Sequence, residues 1–206
     1  MTLRISSIRA ISAGEEVQLT FEVSDGEHSS LQSFVISSKQ YLVLCPEKGE
    51  CDTELYEAVE HMAQLWSAVK RGISLLNYGS CSEKALRVKL VSKGVERVIA
   101  EEAVCELASM GLLHPFDDAF REAQRMSAKL WGKRRISAGL YEKGYSAEAV
   151  AYALDGLDRS GVDYTESCRK LIERKYSDMA DGEAERRRAF AALVRYGYGS
   201  DEIKQA

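Results

Sequence analysis

The sequence predicts a mainly α-helical protein, with tandem three-helix repeats in an elongated curved array and a small N-terminal β-hairpin or sheet region. Three observations carry that expectation. The hydrophobic period changes from two to between three and four near residue 52. A block with matched glycines returns after 50 and then 53 residues. Only two prolines, Pro46 and Pro115, stand in 206 residues. Proline removes a helical hydrogen bond and crowds the preceding turn, so its scarcity permits long helices.

Residues 1–50 read as strands. Val17, Leu19, Phe21 and Val23 alternate with Gln18, Thr20 and Glu22, the period-two pattern of a half-buried strand. Asp25-Gly26 follows, a dipeptide that tolerates the positive φ of a hairpin turn. Leu31–Ile36 would return as the partner strand, and Leu3, Ile5 and Ile8 would supply a third. So small a sheet needs cover from the helix that follows.

Residues 51–78 form that helix. Leu55, Val59, Met62, Trp66, Val69, Ile73 and Leu76 are spaced 4-3-4-3-4-3, a single apolar stripe expected to be buried within the monomer. A coiled coil would share the spacing, but the flanking positions carry no clear charge code.

After Tyr78 the chain repeats itself. Leu90-x-x-Lys93-Gly94 matches Leu140-x-x-Lys143-Gly144, and eight residues before each glycine stand Leu86 and Ile136. Ala100 and Val150, Val104 and Leu154, Leu107 and Leu157 follow in step, and each block reaches a second glycine, Gly111 or Gly161. A third copy contains Leu193-x-x-Tyr196-Gly197 and Ile203. The expected repeats are residues 79–131, 132–181 and 182–206, the last truncated. The first glycine of each copy would end a first helix in the left-handed conformation. Ser146 and Ser200 would cap the second helices. Asp163-Tyr164-Thr165-Glu166 and Ser80-Cys81-Ser82-Glu83 read as capping boxes.

Charge and reactive residues narrow the function. Residues 1–60 hold four Lys/Arg and eleven Asp/Glu, whereas the remaining 146 hold 24 and 21, so a net of −7 precedes a net of +3. A nonspecific nucleic-acid coat would need a strong basic excess. The three histidines, His28, His61 and His114, have no ligand spacing, and neither a phosphate loop nor a nucleophile elbow occurs. Asp117-Asp118 reads as a pair complementing a helix dipole rather than a metal site. We therefore expect no enzyme, no metal and no cofactor. The five cysteines form no C-x-x-C pair and are expected to be reduced, with Cys105 in the core. No apolar run is long enough to span a bilayer, and no signal core follows Met1–Ala10, so a cytoplasmic location is expected.

Basic clusters are the candidate binding residues: Lys129, Lys133, Arg134, Arg135 and Lys143 around the start of the second repeat, then Arg169, Lys170, Arg174 and Lys175, then Arg186, Arg187, Arg188 and Arg195. Such groups contact phosphates or an acidic protein groove. Individually, most would also serve as solvated helix faces pairing with Glu173, Glu183 or Glu185. Trp131, Tyr141 and Tyr196 lie among them as candidate anchors, whereas Tyr145 and Tyr198, at equivalent places after repeat glycines, are expected to pack between helices.

The repeats resemble the RecX family, which is built of tandem three-helix units. The stretch from Leu76 through Ser82-Glu83, Leu86, Leu90 and Lys93-Gly94 is similar to the family's first repeat. Ile136 through Leu140 and Lys143-Gly144 resembles the second, and Leu193 through Gly197, Asp201-Glu202 and Ile203 the last. The resemblance covers about residues 75–206, with the N-terminal strands similar to an extension in Gram-positive members. Gly79 and Cys81 replace the arginines usual before the first-repeat serine. The family's Leu-Asp-Asp-x-x-Phe-Ala is stretched to Leu113-His114-Pro115-Phe116-Asp117-Asp118-Ala119-Phe120. The resemblance implies a non-enzymatic regulator of homologous recombination, DNA repair and the SOS response. Such a protein would lie in the groove of the RecA–single-stranded-DNA filament and inhibit recombinase, ATPase and coprotease activity. It implies a monomer with weak direct DNA affinity and no membrane partner. The alternative is a helical DNA-binding module acting without RecA.

Overall fold

The computed structural model describes residues 2–26, 28–79, 81–176 and 182–206. The chain divides into two compact units. The first runs from the N-terminus through Tyr78 and takes in Arg87–Leu112; the second comprises Gly79–Leu86 and Leu113–Ala206.

In the first unit, strands β1 (Thr2–Ile11), β2 (Glu16–Ser24), β3 (Ser29–Ser37) and β4 (Gly49–Cys51) form an antiparallel sheet in the order β3-β2-β1-β4. The alternation in β2 sends Val17, Leu19 and Phe21 inward, and they bury with Ile5 of β1, Ile36 of β3 and Val59. Phe21, Phe34 and Tyr56 meet edge to face with centroids 5.2–5.7 Å apart, the geometry that the ring quadrupole favours. At the end of β2 the Asp25 N–H donates to the His28 carbonyl at 3.2 Å, and the Asp25 carboxylate accepts from the His28 N–H at 2.9 Å.

Helix α1 (Ser38–Leu44) and strand β4 were not expected from the sequence. Ser37 and Gln40 cap α1 reciprocally, and the buried Gln40 amide donates to the Met62 carbonyl at 3.2 Å. Helix α2 (Thr53–Asn77) is the expected long helix, capped by Asp52. Within its stripe Val59 and Val69 are fully buried, and the other members are half-buried. Past the sheet, α2 packs on α4 (Arg97–Ser109), where a Cβ on Gly72 would stand 2.4 Å from Leu107 Cδ1. Helix α4 buries Ile99, Ala100, Ala103, Val104 and Leu107. Cys105 is exposed, contrary to expectation, because this face places positions 103, 104 and 107 inward and turns 105 to solvent.

The remaining helices are α3 (Glu83–Ser92), α5 (Pro115–Ser127), α6 (Lys133–Glu142), α7 (Ala147–Arg159), α8 (Tyr164–Tyr176), α9 (Glu183–Arg195) and α10 (Ser200–Gln205). Gly94, Gly111, Gly144, Gly161 and Gly197 all adopt φ between +69° and +93°. After each, the next N–H reaches back to a buried leucine carbonyl, closing a Schellman turn. Leu130 occupies the same left-handed place after α5 at φ +58°, with Trp131 N–H returning to the Met126 carbonyl. Ser146 caps α7, and Asp163 caps α8 through the N–H groups of Thr165 and Glu166. Glu166 turns to Arg169 instead of completing a box. Ser82 caps α3; Ser80 lies outside the described residues. Ser200 is not a cap: α10 begins with Ser200, and Glu202 accepts from the Gly199 N–H one residue earlier.

In the second unit α5 packs on α7, with Phe120 against Gly156, and α8 packs on α10. The third helix of one repeat thus lies on the second helix of the next. In the first unit α2 stands toward α4 in the same way.

Candidate functional site

The second unit joins successive repeats by one recurring contact. The end of a first helix docks on the start of the first helix one repeat earlier. Ser82, the α3 cap, donates its hydroxyl to the Lys143 carbonyl, and Gly144 packs so tightly on Lys84 that a Cβ would come within 2.8 Å. Fifty residues on, Gly132 N–H donates to the Tyr196 carbonyl at 2.8 Å, and Arg134 N–H to the Gly197 carbonyl at 3.2 Å. A Cβ on Gly132 would lie 2.4 Å from the Gly197 backbone. Tyr145 and Tyr198 fill the space behind each joint, as expected, at 7% and 0% exposure. The Tyr198 hydroxyl donates to the Leu130 carbonyl at 2.8 Å. Burial, followed by the charges of Asp118 and Glu122, pushes the Tyr145 phenol up to about 12.

The second joint brings together cations that are far apart in sequence. Docking Gly197 on Gly132 carries Tyr196 to the start of α6. There the Arg135 guanidinium lies over both Trp131 and Tyr196, 4.1 and 4.8 Å from the ring centroids. Lys175, near the end of α8, lies 4.9 Å from the Tyr196 centroid and donates to its hydroxyl. The hydrogen bond from Lys175, then its charge and those of Arg135 and Arg174, hold the Tyr196 phenol below its ordinary range. Rings rather than a carboxylate fix Arg135, so its in-plane N–H donors stay open to an anion.

The other sequence-nominated residues divide by partner. Lys133 pairs with Asp158, Lys143 with Glu122, Arg169 and Lys170 with Glu166, and Arg187 with Glu183. Burial raises the Glu122 carboxyl, but Lys143 and Arg125 outweigh it and hold the group below its usual range. Arg186 borders a cleft with Ile172, Phe190 and Ile203. Lys129, Arg134, Arg174, Arg188 and Arg195 are exposed, and none forms an ion pair among the described residues. Lys175 stands beside Arg174 in the second basic cluster of the sequence. Its place on Tyr196 depends on the joint, for which the spacing of the repeat glycines was the only signal. Phe116 and Tyr152, edge to face at 5.5 Å and each 44% exposed, were missed altogether. Asp117 and Asp118 lie in the first turn of α5, and no group of three His, Cys, Asp or Glu that could hold a metal occurs among the described residues. Nor is any helix among them long and apolar enough to cross a membrane.

Together, the fold and the recurring joints define a tandem three-helix repeat protein. Residues 162–206 match the family model described as RecX, third three-helix domain. The regulatory protein RecX of Stenotrophomonas maltophilia (strain R551-3) is 32% identical over 143 residues, covering 67% of this chain and 83% of that protein. RecX of Xanthomonas axonopodis pv. citri (strain 306) is 30% identical over 139 residues, covering 67% and 84%. A crystal structure of regulatory protein RecX superposes over 99% of this chain with a TM-score of 0.77 at 20% identity. That of RecX from Lactobacillus salivarius covers 68% with a TM-score of 0.55 at 19% identity. The chain belongs to the RecX family of regulatory proteins.

Proposed function

We propose that this chain binds the RecA recombinase and its single-stranded-DNA filament. In doing so it inhibits strand exchange, ATP hydrolysis and coprotease activity in DNA repair and the SOS response. It acts without catalysis or cofactor, as a cytoplasmic monomer whose repeats are residues 79–131, 132–181 and 182–206. The observation that carries this reading is Arg135 stacked on Trp131 and Tyr196 with Lys175 on the same Tyr196 ring, two cations with no carboxylate ion pair among the described residues. A filament groove offers phosphates and acidic side chains, and stacked arginine recognises both through its planar fork.

The test is RecA's single-stranded-DNA-dependent ATP hydrolysis, titrated with this protein after filaments have formed. Inhibition at substoichiometric protein is expected, and charge reversal at Arg134, Arg135, Arg187 and Arg188 should weaken it. Unchanged inhibition by that variant would dismiss these residues as the contact. No inhibition by folded wild-type protein in several-fold excess would remove the RecA role. Naked DNA bound as tightly as filaments would then favour a DNA-binding module acting alone.

A further inference from the structure

The sheet of the first unit has one guarded edge and one unguarded edge. β3 pairs with β2 from Glu16↔Ser37 to Ser24↔Ser29 and with no other strand among the described residues. Alternate residues of β3 therefore turn N–H and C=O groups away from the sheet. Proteins ordinarily blunt such an edge with charge, proline, a bulge or a covering element. The opposite edge follows that rule, since β1 has a register shift between Ile5 and Ser7 and is covered at Leu3–Ile5 by β4. β3 reads SSLQSFVIS, with no charge, no proline and no register shift, and its Leu31 is 70% exposed.

Beside the second half of β3 is an open cleft of about 490 Å³. Ser33–Val35 line it from the strand, Ser67, Lys70 and Arg71 from α2, and Glu96 and Ile99 from the start of α4. Its walls are helical as well as extended, so it takes a lone strand more readily than the edge of a second sheet. Lys70 is held by Glu16 at 2.6 Å. Arg71 donates to the Lys93 carbonyl at 3.2 Å and forms no ion pair among the described residues. The cleft thus presents unpaired backbone along one side and a guanidinium without a carboxylate on another.

We propose that β3 and this cleft bind an extended segment of a partner protein by strand addition, with an acidic side chain of that segment pairing with Arg71. Backbone bonds to the edge would supply affinity, and the cleft with Arg71 would select the side chains. This surface involves none of the basic residues of the second unit, so it stands independently of the filament reading.

The experiment uses the full-length, isotope-labelled protein and a blocked pentapeptide, acetyl-Thr-Val-Asp-Val-Thr-amide, followed by amide chemical shifts. Shifts confined to β3 and the cleft are expected. N-methylation of alternate peptide amides should abolish them, and replacing the peptide Asp with Lys should weaken binding about tenfold, one charge-assisted contact. Arg71→Gln, and separately Arg71→Glu, should weaken the Asp peptide while leaving the rest of the amide spectrum in place. Absence of shifts at Ser33–Val35, or shifts indifferent to N-methylation, would overturn the proposal. Concentration-dependent shifts at β3 without peptide, removed by Val35→Pro, would assign the edge to a second copy of the chain and equally overturn it.

Discussion

Two buried tyrosines in the second unit show how one oxygen atom changes its contribution with its neighbour. The Tyr198 hydroxyl donates to the carbonyl of Leu130, a residue held at φ +58° where other turns have glycine. Tyr198→Phe leaves that carbonyl unmet, and urea unfolding should show a loss of about 1–2 kcal/mol. The Tyr164 hydroxyl is buried with no hydrogen-bond partner among the described residues, and burial, then Asp158, pushes its phenol up to about 12. Tyr164→Phe removes a desolvated polar atom and should be neutral or stabilising by up to about 1 kcal/mol. A loss as large as that at Tyr198 would contradict the assignment. In the first unit Glu16 accepts from Lys70 at 2.6 Å and from Trp66 Nε1 at 2.7 Å, with its side chain only 13% exposed. The bonds from Lys70, Ser12 and Trp66 lower its pKa from 4.5 to about 2. A carboxyl depressed in the folded state stabilises fully above its unfolded value and loses that contribution as pH falls through its folded one. The stability difference between wild type and Glu16→Gln should therefore be flat above about pH 5, at about 1–2 kcal/mol after solvent screening, and should collapse toward pH 2. A difference that persisted at pH 2 would locate the effect in packing.

At the scale of elements, the joints between repeats are the most sensitive places in the second unit. Ser82 both caps α3 through the Ala85 N–H and donates to the Lys143 carbonyl, whereas Ser146 only caps α7. Ser82→Ala should cost more than Ser146→Ala, about 2 against about 1 kcal/mol, in parallel denaturant titrations. Gly132→Ala drives a methyl into backbone at 2.4 Å and should cost more than either, because backbone cannot move aside as a flexible side chain can. Equal midpoints for all three would mean that the joints add nothing beyond capping. These elements also show what the sequence discloses. Helix ends were legible because a left-handed residue without strain is nearly always glycine, so Gly94, Gly144 and Gly197 announced themselves. The end at Leu130 was hidden because leucine carries no such signal, and its carbonyl meets the Tyr198 hydroxyl only in the fold, 68 residues away. β4 escaped notice because three residues have no period, and their pairing with Leu3–Ile5 is a tertiary fact. The candidate cations were visible as clusters, but Arg135, Lys175 and Tyr196 meet only through the Gly132–Gly197 contact.

The whole molecule separates charge along the chain, with seven net negative charges in residues 1–60 and three net positive in the remainder. Ion pairing leaves that balance unchanged but lowers the number of free cations. Of the candidate binding cations, Lys133, Lys143, Arg169, Lys170 and Arg187 are already paired with carboxylates. Lys129, Arg134, Arg135, Arg174, Lys175, Arg188 and Arg195 form no ion pair among the described residues. Even if all of these reached phosphates, counterion release from a single strand would limit the slope of log K against log salt to about −5. A protein partner contacted through carboxylates releases no condensed counterions, so its slope would be shallower. Binding to RecA filaments should therefore weaken with salt along a slope between about −2 and −5, and Arg134→Glu with Arg188→Glu should flatten it by about 1 to 2. A steeper wild-type slope would bring in further cations, either paired ones that abandon their carboxylates on binding or residues outside these clusters. A slope near zero would move the contact to apolar surface such as Phe116 and Tyr152, whose exposed rings interact without displacing ions.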